Sequence, residues 1–285
     1  MANPSDLQPP PAGGFRVGRR RLLLEIVGVV GAFALVLWGA FALGAWIAVR
    51  SVPYIPVSAD ITIGEQAWDQ LAPKSRQCTD PSAQAFVEAV AAPLVAALED
   101  DRFAFKFRVV DDDAINAFAL PGGFVTVNYG LLKAASGPEE VAAVLAHEIF
   151  HVVQRHGFRR ILRQVSGWLA VGAVLGWVDL GSFTAVAAGL IGQGYDRDQE
   201  RESDRLGRAL LLKAQVDPKG MAAFFERLAQ EKTAALVPAF LSTHPGSAER
   251  AQEAREGPGL EGPAVTLPSL EGVRCRAEGA ADEGT

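Results

Sequence analysis

The stretch "LAHEIFHVVQRHG", Leu145–Gly157, decides how the rest of the chain is read. It holds three of the chain's four histidines, two of them in the order His-Glu-x-x-His. On an α-helix, residues four apart are neighbours on one face. His147 and His151 therefore project side by side and can bind one metal ion through their imidazoles, and Zn²⁺ suits such nitrogen donors. Glu148 is angled toward the same ion without having to bind it, placed to take a proton from water. Two ligands plus a general base is the division of labour in hydrolases carrying this pattern. Three fixed positions also recur by chance, so the surroundings matter. Ser136 with Glu139 three residues on reads as a capping box with Pro138 in the first turn, starting the helix. Val141, Val144, Leu145 and Val152 give it an apolar face to bury. His156 lies five residues past His151 and is expected to point elsewhere, as a structural or surface histidine near the helix end.

A zinc hydrolase needs a third protein ligand and an open position. "YDRDQERESDRLG", Tyr195–Gly207, offers Glu200 and Asp204, four apart on an expected helix over about 197–214. One carboxylate can complete the metal shell, and the other can accept the free N–H of a ligating imidazole, fixing its tautomer. The competing reading of such a charged run is a solvated helix face laced with ion pairs.

The N-terminus bears on the compartment. Residues 1–14 are rich in Pro and Gly and read as disordered. Arg16, Arg19, Arg20 and Arg21 follow, and then an uncharged apolar run from Ile26 to Val49. As a helix it is about 36 Å long at about 1.5 Å per residue, enough to cross a hydrocarbon core. It is also longer than the apolar core of a cleaved signal peptide, the competing reading. The excess of arginine before the run puts the N-terminus in the cytoplasm and everything after Arg50 outside it. The resulting division is a disordered basic N-terminus at 1–21, a transmembrane anchor at 22–50 and a linker at 51–64, followed by a domain carrying the His-Glu-x-x-His helix over 65–255 and a loose Gly- and Pro-rich tail at 256–285.

Within the domain, residues 80–100 carry apolar positions at helical spacing. Phe103–Val110 alternates, with Phe103, Phe105, Phe107 and Val109 facing one way and Lys106 and Arg108 the other, as in a half-buried strand. Asp111–Asp113 reads as a solvated turn. Two further strands flank a turn at Pro121–Gly123, and a last helix is expected over about 218–232. The expected fold is mainly α with a small β-sheet, an α+β arrangement. Between Arg163 and Asp196 the only charge is Asp179. A single membrane crossing there would separate Glu200 from His147 and His151. The segment 164–194 is therefore expected to be a helical hairpin packed on the domain. The net charge of −6 gives no broad basic face for nucleic acid. With only two cysteines, Cys78 and Cys275, a four-cysteine zinc framework is excluded. Whether they pair is not readable from sequence.

Over roughly residues 65–255 the chain resembles the gluzincin metallopeptidase family 48, the HtpX, BepA-like and CAAX prenyl protease family. "HEIFH" is similar to the family's HExxH, and "ERESD" to its Glu-x-x-Ala-Asp, with Ser203 in place of the alanine. Asn116–Leu132 looks like the strand and turn before the active helix. "STHPGSAER", Ser242–Arg250, looks like the His-Pro loop, and Asp196 stands where Ser commonly precedes the arginine. The resemblance implies a zincin-like fold and one Zn²⁺ per chain held by His147, His151 and Glu200. It also implies Asp204 as the carboxylate behind a ligating imidazole, and Arg250 as that pattern's arginine. For His244 three readings stay open: an oxyanion stabiliser, a removable fourth ligand that silences the enzyme, or a residue that holds its loop.

The expected function is a zinc endopeptidase of the bacterial inner membrane with its catalytic domain in the periplasm. It would act on unfolded or misassembled envelope proteins with Glu148 as base. Phe124, Val125, Thr126, Val127 and Asn128 are the expected substrate-holding strand, through backbone bonds. A zinc-containing chaperone with weak proteolysis is the alternative from another class. A CAAX prenyl protease fits poorly with one confident span. The oligomeric state is not readable.

Overall fold

The computed structural model describes residues 18–175, 194–230, 244 and 247–276. Its first element, α1 (Arg19–Ser51), carries Arg50 in its last turn and no acidic residue in its first. Its large apolar side chains are exposed over most of its length; only near its end do Ala45 and Ala48 become buried. It is long and apolar enough to cross a membrane.

The expected linker is short. A single 3-10 turn at Val52–Tyr54 leads directly into α2 (Val57–Leu71). Most of the expected linker at 51–64 is thus helical, and Asp60 within it is fully buried. Pairing with Arg155 requires Asp60 inside, a demand invisible in a Pro-containing stretch.

Then come α3 (Pro81–Ala97), β1 (Lys106–Val110), β2 (Ala117–Leu120), β3 (Phe124–Asn128) and α4 (Tyr129–Ala134). The sheet order is β1-β3-β2, with β1 parallel and β2 antiparallel to β3. The turn between β2 and β3 is tight because Gly122 and Gly123 adopt φ of +88° and +99°, conformations glycine enters without steric cost. A Cβ on Gly122 would lie 2.5 Å from the Ile61 Cα.

One sheet face packs on α3 and on α5 (Pro138–Val153), where Val87, Val90, Leu94, Val125, Val127, Val141, Leu145 and Ile149 form a core with no exposed surface. The other face is covered by α2. The Trp68 Nε1–H donates to Thr126 Oγ1 at 2.8 Å, and the Arg108 guanidinium lies 3.8 Å over the Trp68 ring. Arg108 is thus buried, where alternation placed it in solvent; Asp69 at 3.1 Å and the Ala72 carbonyl meet its charge.

The start of α5 also differs in detail. Gly137 is the N-cap, with no side-chain cap, and the Ser136 N–H donates to Glu140 rather than joining a box with Glu139. Beyond α5, α6 (His156–Leu175) runs back along α1; it contains the first part of the expected 164–194 hairpin, of which 176–193 lie outside the described residues. The helices α7 (Arg197–Lys213), α8 (Lys219–Gln230) and α9 (Ser247–Glu256) complete the fold. The described part of the tail is irregular yet pinned. Cys78 and Cys275 form a disulfide, the Tyr129 hydroxyl donates to the Val273 carbonyl, and Leu267 and Leu270 pack on the core. Residues 1–17, 277–285 and most of the His-Pro loop lie outside the described residues.

Candidate metal centre

Three elements bring the donors together. α5 supplies His147, Glu148 and His151, all buried. α7 is stopped at its start by a capping box: Asp196 accepts from the Gln199 N–H, and the Gln199 side chain accepts from the Asp196 N–H. This cap sets the phase in which Glu200, Ser203, Asp204 and Gly207 all turn inward. Gly207 is the point of closest approach, because a Cβ there would lie 3.2 Å from the backbone of Ala146 and His147. The helix axes come close enough for a short carboxylate to reach the imidazoles only because that position carries no side chain.

The His147 and His151 Nε2 atoms lie 2.9 Å apart. Glu200 is 3.5 Å from the first and 3.4 Å from the second. The His244 Nδ1 is 3.3 Å from His147 Nε2 and 3.0 Å from Glu200. All four donor atoms fall within 4.8 Å of one another. Ligands on a tetrahedral zinc with bonds of about 2.0–2.1 Å sit about 3.3 Å apart; the separations given above, 2.9 to 3.5 Å, bracket that value. Two to three imidazoles and one carboxylate are a donor set suited to zinc, and the residues present fit that ion.

The groups behind the donors orient them. Asp204 lies 2.8 Å from the His147 Nδ1, so this ring carries its proton there and turns Nε2 toward the cluster. Arg250, on α9, holds Asp204 through two bonds of 2.5 and 2.7 Å and Glu200 at 2.7 Å. On the other ligand, the His151 Nδ1 meets the His156 Nδ1 at 2.9 Å, and the His156 Nε2 meets Glu202 at 3.2 Å. His156 is therefore fully buried against a ligand rather than pointing elsewhere. The reason is a break in the helix: α5 ends at Val153, and Arg155 takes φ +56°. α6 then starts in a new direction with His156 first. Arg155 is fixed in that conformation by Asp60 and by the Val52 and Ile55 carbonyls. Tyr195 stacks on His151 at 3.7 Å and 14°, and its hydroxyl donates to the Ala119 carbonyl at 3.4 Å. Sequence reasoning missed His156, Tyr195 and Arg155 in these places. The only local hint was a polar run, Gln154–His156, at the end of an apolar helix.

Glu148 is fully buried, and neither of its carboxylate oxygens has a hydrogen-bond partner among the described residues. His244 Nε2 faces it at 3.4 Å. Burial pushes the Glu148 carboxyl above its ordinary range. Burial and then the charge of His147 press His151 well below its ordinary value, which favours the neutral, lone-pair-bearing ring. For Glu200 burial opposes ionisation, but His244 and His147 outweigh it and hold the carboxyl far below the usual range. Burial works against a charged His244, but Glu200 and Glu148 raise it. Burial raises the Tyr195 phenol, so it stays a donor.

The expected substrate strand does not have the required geometry. Phe124, Val125, Thr126, Val127 and Asn128 form β3, the middle of the sheet, completely buried and paired on both edges. Its backbone has no free edge to offer; the edge on the metal side is that of β2.

This fold and this donor set define a zincin-type metallopeptidase domain. The chain belongs to peptidase family M48, whose model matches residues 78–257. A Vibrio cholerae relative is 33% identical over 236 residues, covering 78% of this chain and 49% of its own. A beta-barrel assembly-enhancing protease of Yersinia pestis is 32% identical, covering 70% and 44%. The mitochondrial metalloendopeptidase OMA1 of Schizosaccharomyces pombe is 36% identical over 158 residues, covering 53% and 46%. The chain spans about half the length of the curated relatives it matches.

Proposed function

We propose that the chain is a membrane-anchored zinc endopeptidase that cleaves unfolded or misassembled envelope proteins on the periplasmic side of the bacterial inner membrane. The observation that carries this reading is the convergence of four donors, from His147, His151, Glu200 and His244, beside a buried, unbonded Glu148. Bound zinc supplies a Lewis acid that acidifies water and polarises the scissile carbonyl. Glu148 takes a proton from the attacking water and returns it to the leaving amine. Asp204 and the His156–Glu202 pair keep the ligating rings in the tautomers that expose their Nε2 lone pairs. An extended substrate segment adds to the outer edge of β2, Ala117–Leu120, by backbone bonds that ignore side chains, displacing the Tyr195 hydroxyl from the Ala119 carbonyl. That mode suits unfolded clients, in keeping with the beta-barrel assembly-enhancing names of relatives. The arginines at the start of α1 and the Cys78–Cys275 disulfide both suit a domain in an oxidising compartment outside the cytoplasm.

His244 favours a latent state. With three other donors around one point, its imidazole takes the place that a catalytic zinc keeps open for water. Turnover then requires this residue to leave the cluster, and a resting enzyme is a zinc-holding binder of clients. The test is digestion of casein by the full chain with and without chelator. Glu148→Gln should keep zinc and lose about 10²–10⁴-fold in rate, whereas His244→Ala should raise the rate. Undiminished cleavage by Glu148→Gln would eliminate the proposed base.

A further inference from the structure

We propose that α6 enters the same leaflet from which α1 emerges, so that the peptidase domain is held to the membrane by a helix pair rather than by one anchor. This rests on reading α1 as a membrane anchor. The two helices are antiparallel. Arg155, just before α6, donates to the Val52 carbonyl at the end of α1 at 2.7 Å. Farther along, Gly44 lies under Ser166 and Ala170, where an added Cβ would be 2.9 Å from the Ser166 carbonyl oxygen and 2.7 Å from the Ala170 Cβ. Farther still, Gly167 lies under the Phe41 ring, 2.5 Å from an added Cβ, and Phe41 meets Trp168 edge to face at 6.0 Å. Small residues admitting close backbone approach are how helices pair in lipid.

The register sets the depth. Gly44 is five residues inside Val49, where the uncharged run of α1 ends, and Phe41 is eight. At about 1.5 Å per residue these contacts lie roughly 8 and 12 Å below that end. α6 carries Arg159, Arg160 and Arg163 before this level and no charge from Gln164 to its end, and Arg163 is exposed. Its stretch from Ser166 to Leu175 is about 15 Å of helix, half of a hydrocarbon core of about 30 Å. That described part reaches about halfway into the core, and Glu200, 3.5 Å from His147, stays on the domain's side of the membrane. At this level Leu43, Trp46 and Ile47 of α1 and Trp168 of α6 are all more than half exposed. Their faces continue the bare surface of α1, and acyl chains are the occupant that matches both.

The test uses the full chain in phospholipid nanodiscs. The two cysteines are paired, so one introduced cysteine takes a single environment-sensitive fluorophore. Labels at Leu43→Cys, Trp168→Cys, Leu169→Cys and, as an exposed control on the domain, Lys74→Cys are quenched with nitroxides on the acyl chains. Quenching at 168 and 169 within about twofold of that at 43, with none at 74, is the expected result. Gly44→Leu, which wedges the helices apart, should lower quenching at 168 and 169 and leave 43 unchanged. Quenching at 43 without quenching at 168 or 169 overturns the proposal and leaves the α1 anchor standing. No quenching at 43 overturns the anchor reading and this proposal with it.

Discussion

His156 touches no metal donor atom, yet it sits where it can decide the orientation of one. Its Nδ1 accepts from His151 while its Nε2 donates to Glu202, so the direction of both bonds follows from a single tautomer. His156→Leu should weaken zinc binding by about 10–100-fold, measured by competition with a chromophoric chelator. His156→Gln, whose amide can accept from His151 and donate to Glu202, should restore most of it; equal loss in both variants would mean that only the ring's volume matters. On the other ligand, burial opposes the charge of Asp204, but Arg250 outweighs it and lowers the pKa below its ordinary 3.8. The folded state therefore holds the Asp204 proton less tightly than the unfolded state. Its contribution is complete above about pH 4 and fades as pH falls through the depressed folded value. Asp204→Asn should cost about 3 kcal/mol at neutral pH, because it removes the charge of one of the two carboxylates that meet the buried Arg250. In chelator, by denaturant titration, that difference should be flat from pH 6 to 8 and shrink below about pH 4.

Among the elements, the meeting of α5 and α7 carries the site. Each helix is legible in sequence: the apolar face and the His pair four apart in α5, and Glu200 and Asp204 four apart in α7. Their approach is not, because it depends on Gly207 meeting the backbone at Ala146. Gly207→Val should push α7 outward, cost about 1–3 kcal/mol by overpacking, and reduce zinc occupancy more than Gly→Val at solvent-facing Gly259, measured by metal analysis. β3 teaches the opposite lesson. The Pro121–Gly123 turn marks it as one arm of a hairpin, but pairing order belongs to the sheet as a whole. Strand β1, arriving from elsewhere in the chain, takes the edge that a substrate would need.

At the scale of the molecule, the Cys78–Cys275 disulfide ties the start of α3 to the far end of the chain across 197 residues. The Thr79 and Asp80 N–H groups both donate to the Cys275 carbonyl. Replacing both cysteines by serine should cost about 2–5 kcal/mol. It should also make stability insensitive to reductant, whereas the wild-type chain should lose that amount when reduced. The sequence by itself determined the His-Glu-x-x-His helix, the long apolar helix at the N-terminus, the mainly helical character and the carboxylate-bearing helix downstream, because these follow from periodicity and residue chemistry within one element. Only the tertiary structure decided that Asp60 is buried against Arg155, that His156 turns inward, that β3 lies in the middle of the sheet and that α6 lies along α1. Each of those depends on which surfaces meet, and burying a charge or pairing a strand is settled by partners far away along the chain.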